Sequence, residues 1–196
     1  MNATKVYIHN IATHVPEARY SQTEMREFMT GLMADTDEKR LFFRKIYDGS
    51  AISARHTVID DYGKDPSEYR FFPKNESMKP EPSTAQRNDV HIREANRLSL
   101  EAVSMLFEKM TGFDKNKITH LITVSCTGFS APGVDFHVTK ELKLRNSVNR
   151  FNLGFMGCFA AIPALKLARN ICLSELDARV LIVNTELCSL HFQQSE

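Results

Sequence analysis

Residues 151–168 read FNLGFMGCFAAIPALKLA, an apolar strand-like run and an apolar helix-like run with two glycines and Cys158 at the junction. A cysteine in that position can act as a nucleophile. A helix opening near Cys158 would aim its unpaired backbone N–H groups and the positive end of its dipole at the sulfur, favouring the reactive thiolate. Gly154 and Gly157 suit a tight strand-to-helix turn and let a substrate approach the backbone closely. The same pattern also fits a packed core thiol, because free cysteine is among the most buried residue types. The local sequence leaves both readings open.

The remaining cysteines, Cys126, Cys172 and Cys188, form no CxxC pair and no cluster with histidine of the kind that holds a metal. The expectation is a reduced, cytoplasmic chain with no metal site. The 196 residues carry 25 basic and 24 acidic side chains, a formal net charge of +1, which supplies no global attraction for nucleic acid or an anionic membrane. The first twenty residues lack the charged start, apolar stretch and small-residue cleavage site of a secretion signal. Lys166 and Arg169 interrupt the longest apolar run before the ~18 residues needed to span a bilayer. A hydrophobic fraction of 42% can bury a substantial core.

Positioning Cys158 requires a layered scaffold. Lys5–Ala12 alternates enough apolar residues for a first strand, and Ser21 with Glu24 resembles a capping box opening a helix to about Met33. A second amphipathic helix is expected from Asp37 to Tyr47, ended by the turn signal at 48–50, with a short strand over Arg55–Ile59. Asp60–Thr84 holds four of the seven prolines and reads as a long loop. Helical spacing of Ile92, Ala95, Leu98, Ala102, Val103 and Leu106 predicts a long helix over Asp89–Met110. Strands are predicted at His120–Cys126, Val148–Leu153 and Ala178–Thr185, with helices running to about Leu142 and over Cys158–Leu173. Doubly buried strands alternating with helices imply an α/β fold, with layers of helix on either side of a mixed, mostly parallel sheet. The helix after Cys158, apolar all round, is expected to be a buried central one. After the strand ending near Thr185 only a few polar residues follow, with no closing helix, so the chain reads as the first half of something longer.

Four patches, 48–62 (DGSAISARHTVIDDY), 125–136 (SCTGFSAPGVDF), 152–161 (NLGFMGCFAA) and 180–192 (VLIVNTELCSLHF), resemble the type III polyketide synthases of the chalcone and stilbene synthase family. They occur in family order across most of the chain, and the SCTGFSAPG and FMGCFAAI variants look bacterial rather than plant. The resemblance implies a thiolase-like fold, with residues 1–196 as its N-terminal domain and the C-terminal half absent.

By that resemblance Cys158 matches the cysteine that accepts an acyl group from a coenzyme A thioester and holds the growing chain. Thiolate chemistry suits the task, since the thioester formed stays activated for carbon–carbon bond formation. Cys126 and Thr127 match positions at the acyl-binding cavity, and Cys188 and His191 match further lining positions where plant members place threonines. Lys45 matches one of three cations that contact the phosphates of coenzyme A; Phe42 and Gly49 stand at the other two, with Arg44 and Arg55 nearby. Basic residues at a helix end are also often simply solvated.

The implied activity is that of an acyltransferase. A starter acyl group loads onto Cys158, and malonyl-CoA loses carbon dioxide to an enolate that attacks the thioester, giving a polyketide in the manner of a chalcone synthase. Substrates are coenzyme A thioesters, no metal or redox cofactor is implied, and the family implies a homodimer. The family's histidine and asparagine belong to its second half, so the 196-residue chain alone is expected to fail at condensation. Two alternatives remain: another thiolase-like condensing enzyme, such as a ketoacyl-ACP synthase III or an HMG-CoA synthase, and a non-catalytic half-domain that binds acyl-CoA.

Overall fold

Leu121 and Ile122 are neighbours in sequence and both fully buried, and successive strand residues point to opposite faces, so β3 (His120–Ser125) must be covered on both sides. The computed structural model describes residues 5–194 and shows how. β3 is central in a three-stranded sheet of order β4-β3-β5, with β4 (Asn149–Gly154) and β5 (Val180–Asn184) both parallel to it. Parallel neighbours need crossovers, and these are α4 (Val134–Glu141) between β3 and β4 and α5 (Ala161–Ser174) between β4 and β5. On one face Leu121 packs with Val103 of α3 (Thr84–Glu108), Val138 of α4, Leu181 and Val183. On the other, Ile122 and Val124 meet Ala160, just before α5, and Ala164, Leu167 and Ile171 along it. Each such buried aliphatic side chain contributes about 1.5–3 kcal/mol. The arrangement sends all three strands to one edge of the sheet, where residues 126, 155–158 and 186 follow their ends.

This sheet belongs to one of two compact units, residues 5–14 with 88–187; the other holds 15–87 with 188–194. In the second unit the expected capping box is present. Ser21 Oγ accepts from the Glu24 N–H and the Glu24 carboxylate accepts from the Ser21 N–H, opening α1 (Gln22–Met33). α2 (Asp37–Gly49) is capped by Thr36, and the antiparallel pair β1 (Ala18–Ser21) and β2 (Ala54–Thr57) forms a separate small sheet. The long loop is organised by Asp61. Its buried carboxylate accepts the N–H groups of Arg70, Phe71 and Phe72 at 2.8–2.9 Å, satisfying a charge that would otherwise be costly to bury.

Several expectations differ from this structure. Lys5–Ala12 is not a strand: a strand is held by ladder hydrogen bonds, and among the described residues none pairs with this segment, leaving Tyr7, Ile8 and Ile11 exposed. α3 starts at Thr84 rather than Asp89, because Ser83 and Gln86 form a capping box of the S-x-x-Q kind. β4 is largely exposed because among the described residues it is an edge strand, with β3 on one side only. α5 begins at Ala161, after Cys158, and buries one face; Ile162 is 54% exposed on the other. Among the described residues no helix is long and apolar enough to cross a membrane.

Candidate active site

Cys158 lies in the turn that leads from β4 into α5, with the Ala160 N–H bonded to the Gly157 carbonyl at 3.1 Å. Its side chain is exposed, and among the described residues the sulfur has no hydrogen-bond partner. The sequence pattern predicts Cys158 at the mouth of the helix, whereas α5 begins three residues later, at Ala161. In the structure the backbone donors beside it serve a different atom: the Met156 and Gly157 N–H groups point at Cys126 Sγ, at 3.3 and 3.1 Å. Gly157 has φ +81°, a left-handed conformation that a side chain resists, and this lets consecutive N–H groups face one acceptor. Cys126, half-buried at the end of β3, is thereby tied to the turn that carries Cys158.

The turn after β3 is held from three directions. Glu186, just beyond β5, accepts from the Cys126 N–H at 2.8 Å and from the Thr127 hydroxyl at 2.8 Å, and Thr127 Oγ1 in turn accepts from the Leu187 N–H. The buried His91 ring on α3 lies directly against Gly128, where a Cβ would come within 2.1 Å of the imidazole. Asn88, one turn earlier on α3, clamps the Phe129 backbone with its side-chain amide, accepting from the N–H at 3.0 Å and donating to the carbonyl at 2.9 Å. The sequence does not single out Glu186, His91 or Asn88 as part of the site, because all three act across the fold; Gly128 and Glu186 do sit within quoted patches, at 125–136 and 180–192.

Phe155 opens the Cys158 turn at φ +57°, which for a bulky residue costs about 1–3 kcal/mol. Phe155 and Phe129 are both exposed, and their ring centroids lie 6.3 Å apart.

Cys188 and His191 belong to the other unit, in a short 3₁₀ turn at Cys188–His191. The buried Arg87 guanidinium donates to the carbonyls of Leu190 and Phe192, each at 2.7 Å, and to that of Pro82 at 2.8 Å. Thr57 donates to Ser189 Oγ at 2.7 Å, and the Tyr62 phenol to the Ser189 carbonyl. Burial pushes the Tyr62 phenol up, so it stays a protonated donor. Lys45 is exposed on α2 with no ion pair among the described residues, as is Arg44, whereas Arg55 is engaged by Gln22 and the Tyr47 ring. Among the described residues no group of three or more His, Cys, Asp or Glu side chains is placed to hold a metal ion.

The N-terminal domain of chalcone and stilbene synthases matches residues 1–196. The chain belongs to that family. This synthase domain is 29% identical over 197 residues to the probable polyketide synthase 1 of Dictyostelium discoideum, a match that covers 97% of this chain and 6% of that protein. Its fold superposes on the C-terminal type III polyketide synthase domain of Steely1, a type I/III hybrid from Dictyostelium, with a TM-score of 0.82 at 29% identity, covering 95% of this chain and 49% of the other. It also superposes on 1,3,6,8-tetrahydroxynaphthalene synthase, a bacterial type III polyketide synthase from Streptomyces coelicolor, with a TM-score of 0.78 at 25% identity, covering 94% and 49%. The thiolase-like α/β fold is therefore that of the type III synthases, and this domain spans about half the length of these solved relatives.

Proposed function

We propose that this chain supplies the acyl-accepting cysteine of a type III polyketide synthase, a coenzyme A-dependent acyltransferase. The observation that carries the reading is Cys158 itself, exposed and uncommitted in the turn between β4 and α5 of a domain whose family is polyketide-forming. In the loading step the Cys158 thiolate attacks the starter thioester carbonyl, the bond from carbonyl carbon to coenzyme A sulfur breaks, and coenzyme A leaves as a thiolate that takes up a proton. One thioester replaces another, so the carbonyl stays activated. Malonyl-CoA then loses carbon dioxide, its enolate carbon bonds to that carbonyl, and Cys158 is released.

The family resemblance assigns Cys126, Thr127, Cys188 and His191 to the wall around the acyl group, and Lys45 to a phosphate of coenzyme A. It also supports a homodimer and a chalcone synthase-like reaction class, and the unclustered cysteines support a reduced, cytoplasmic setting. Decarboxylation needs donors that stabilise the enolate oxygen. The family draws these from a histidine and an asparagine outside its N-terminal domain, so residues 1–196 alone load an acyl group slowly and do not condense. Incubation of the purified chain with hexanoyl-CoA is expected to give a hydroxylamine-labile mass increase of one acyl group, and incubation with malonyl-CoA to release no carbon dioxide. A chain that stays unmodified over hours with several acyl-CoA donors overturns the loading reading.

A further inference from the structure

An open cavity of about 590 Å³, within the size range of small-ligand pockets, lies where α4 ends and β4 begins, whereas Cys158 follows the other end of β4. Lys140 in the last turn of α4, Lys143 just past it and Arg150 on β4 all line this cavity, and among the described residues no carboxylate does. Phe136, Leu144 and Val148 give it apolar walls. Arg150 is in register with Leu121, which packs towards α4, and Phe151 with Ile122, which packs towards α5, so the cavity and the Phe151 ring belong to opposite faces of the sheet.

The fold alone does not account for this gathering of charge. A cation in the last turn of a helix complements the helix dipole, which covers Lys140. Lys143 and Arg150 lie outside that helix. Arg150 is held in place, paired with Asp135 at 3.0 Å and with its guanidinium 5.9 Å from the centre of the Phe136 ring. Lys140 and Lys143 form no ion pair among the described residues. Lys143 also has φ +52°, with its N–H bonded to the Lys140 carbonyl and the Leu144 N–H bonded to the Thr139 carbonyl. This is the helix-ending loop in which glycine is the usual residue at the left-handed position. A lysine there keeps the backbone strain and adds a charge beside two like ones, which gains the fold nothing and gains an anionic ligand a contact.

We infer that this cavity binds an organic phosphate, with the phosphate oxygens on Lys140 and Lys143 and a planar body against Phe136. Two uncompensated ammonium groups call for about two negative charges, which a phosphate group supplies and a single carboxylate does not. The volume suits a molecule the size of a mononucleotide. This site is independent of the proposed loading of Cys158.

Adenosine diphosphate serves as the probe, with inorganic diphosphate and adenosine as its separate halves, each titrated calorimetrically into the purified chain. The nucleotide is expected to bind at least about fivefold more tightly than inorganic diphosphate, from stacking on Phe136, and adenosine more weakly than either. K140A and K143A together are expected to weaken nucleotide binding by at least about tenfold, and F136A to bring it to the level of inorganic diphosphate. K143G removes the charge while supplying the residue that the backbone favours, so binding should fall as in K143A with the melting temperature held within about 3 °C of the wild type. A photoreactive azido analogue of the nucleotide should label the peptide spanning 134–150. No heat of binding at about 1 mM nucleotide overturns the site. Binding that K140A/K143A leaves within about twofold also overturns it, as does label on the peptide bearing Lys45, which would place the nucleotide in the coenzyme A position instead. A change of oligomeric state in K140A/K143A by sedimentation overturns it as well, assigning these cations to contact with another copy of the chain.

Discussion

Cys126 and Cys158 follow adjacent parallel strands, yet their sulfurs are treated in opposite ways. Cys126 ends the central strand, is half-buried, accepts two backbone N–H groups, and has its own N–H captured by Glu186. Cys158 follows the edge strand, is exposed, and among the described residues has no hydrogen-bond partner. The backbone donors that immediately precede Cys158, the Met156 and Gly157 N–H groups, are spent on its neighbour. The two roles follow from this: one thiol is an acceptor that knits two turns together, and the other is left free to form a bond.

The sharpest way to break that comparison is to exchange the two thiols for hydroxyls. C158S is expected to abolish acyl-thioester formation, by at least about 100-fold, with an unchanged melting curve because the side chain is exposed. C126S keeps an acceptor for Met156 and Gly157 and should retain loading within about fivefold, as read by intact mass. The reverse pattern would exchange the roles. Next in size is G128A, whose new Cβ would lie 2.1 Å from the buried His91 imidazole, so that one of the two must shift. It should cost about 2–3 kcal/mol by denaturant unfolding. Pairing it with H91A should return part of that loss, and strict additivity in the double-mutant cycle would deny the contact. Smaller again is E186Q, which keeps one acceptor for the Cys126 N–H and Thr127 hydroxyl in a solvent-reached position. A loss of about 1 kcal/mol is expected, together with faster alkylation of Cys126 as its turn loosens.

Local signals were legible where a few adjacent residues decide the outcome. The Ser21–Glu24 box sets the start of α1, and the apolar and β-branched residues at 121–124 mark a strand covered on both faces. The S-x-x-Q at Ser83–Gln86 is an equally local signal, outweighed in the sequence by the prolines just before it, which favour a loop. What depends on distant partners was not legible. Lys5–Ala12 has strand-like alternation, but only a ladder makes a strand. The exposure of β4 follows from its place at the sheet edge, which no residue of β4 announces. Within the site, Cys158 was found from its glycines and flanking apolar runs, whereas Glu186 emerges only when β5 is laid beside β3. The φ of Phe155 has no sequence signal either, since a phenylalanine there is the opposite of what the backbone favours.

The most direct test of the central claim is to locate the acyl group. After incubation of the purified chain with hexanoyl-CoA near neutral pH, quenching in acid and proteolysis, tandem mass spectrometry should place a single hexanoyl thioester on the peptide bearing Cys158, with Cys126, Cys172 and Cys188 recovered as free thiols. A hexanoyl group found on Cys126 or Cys188 while Cys158 remains free would contradict it.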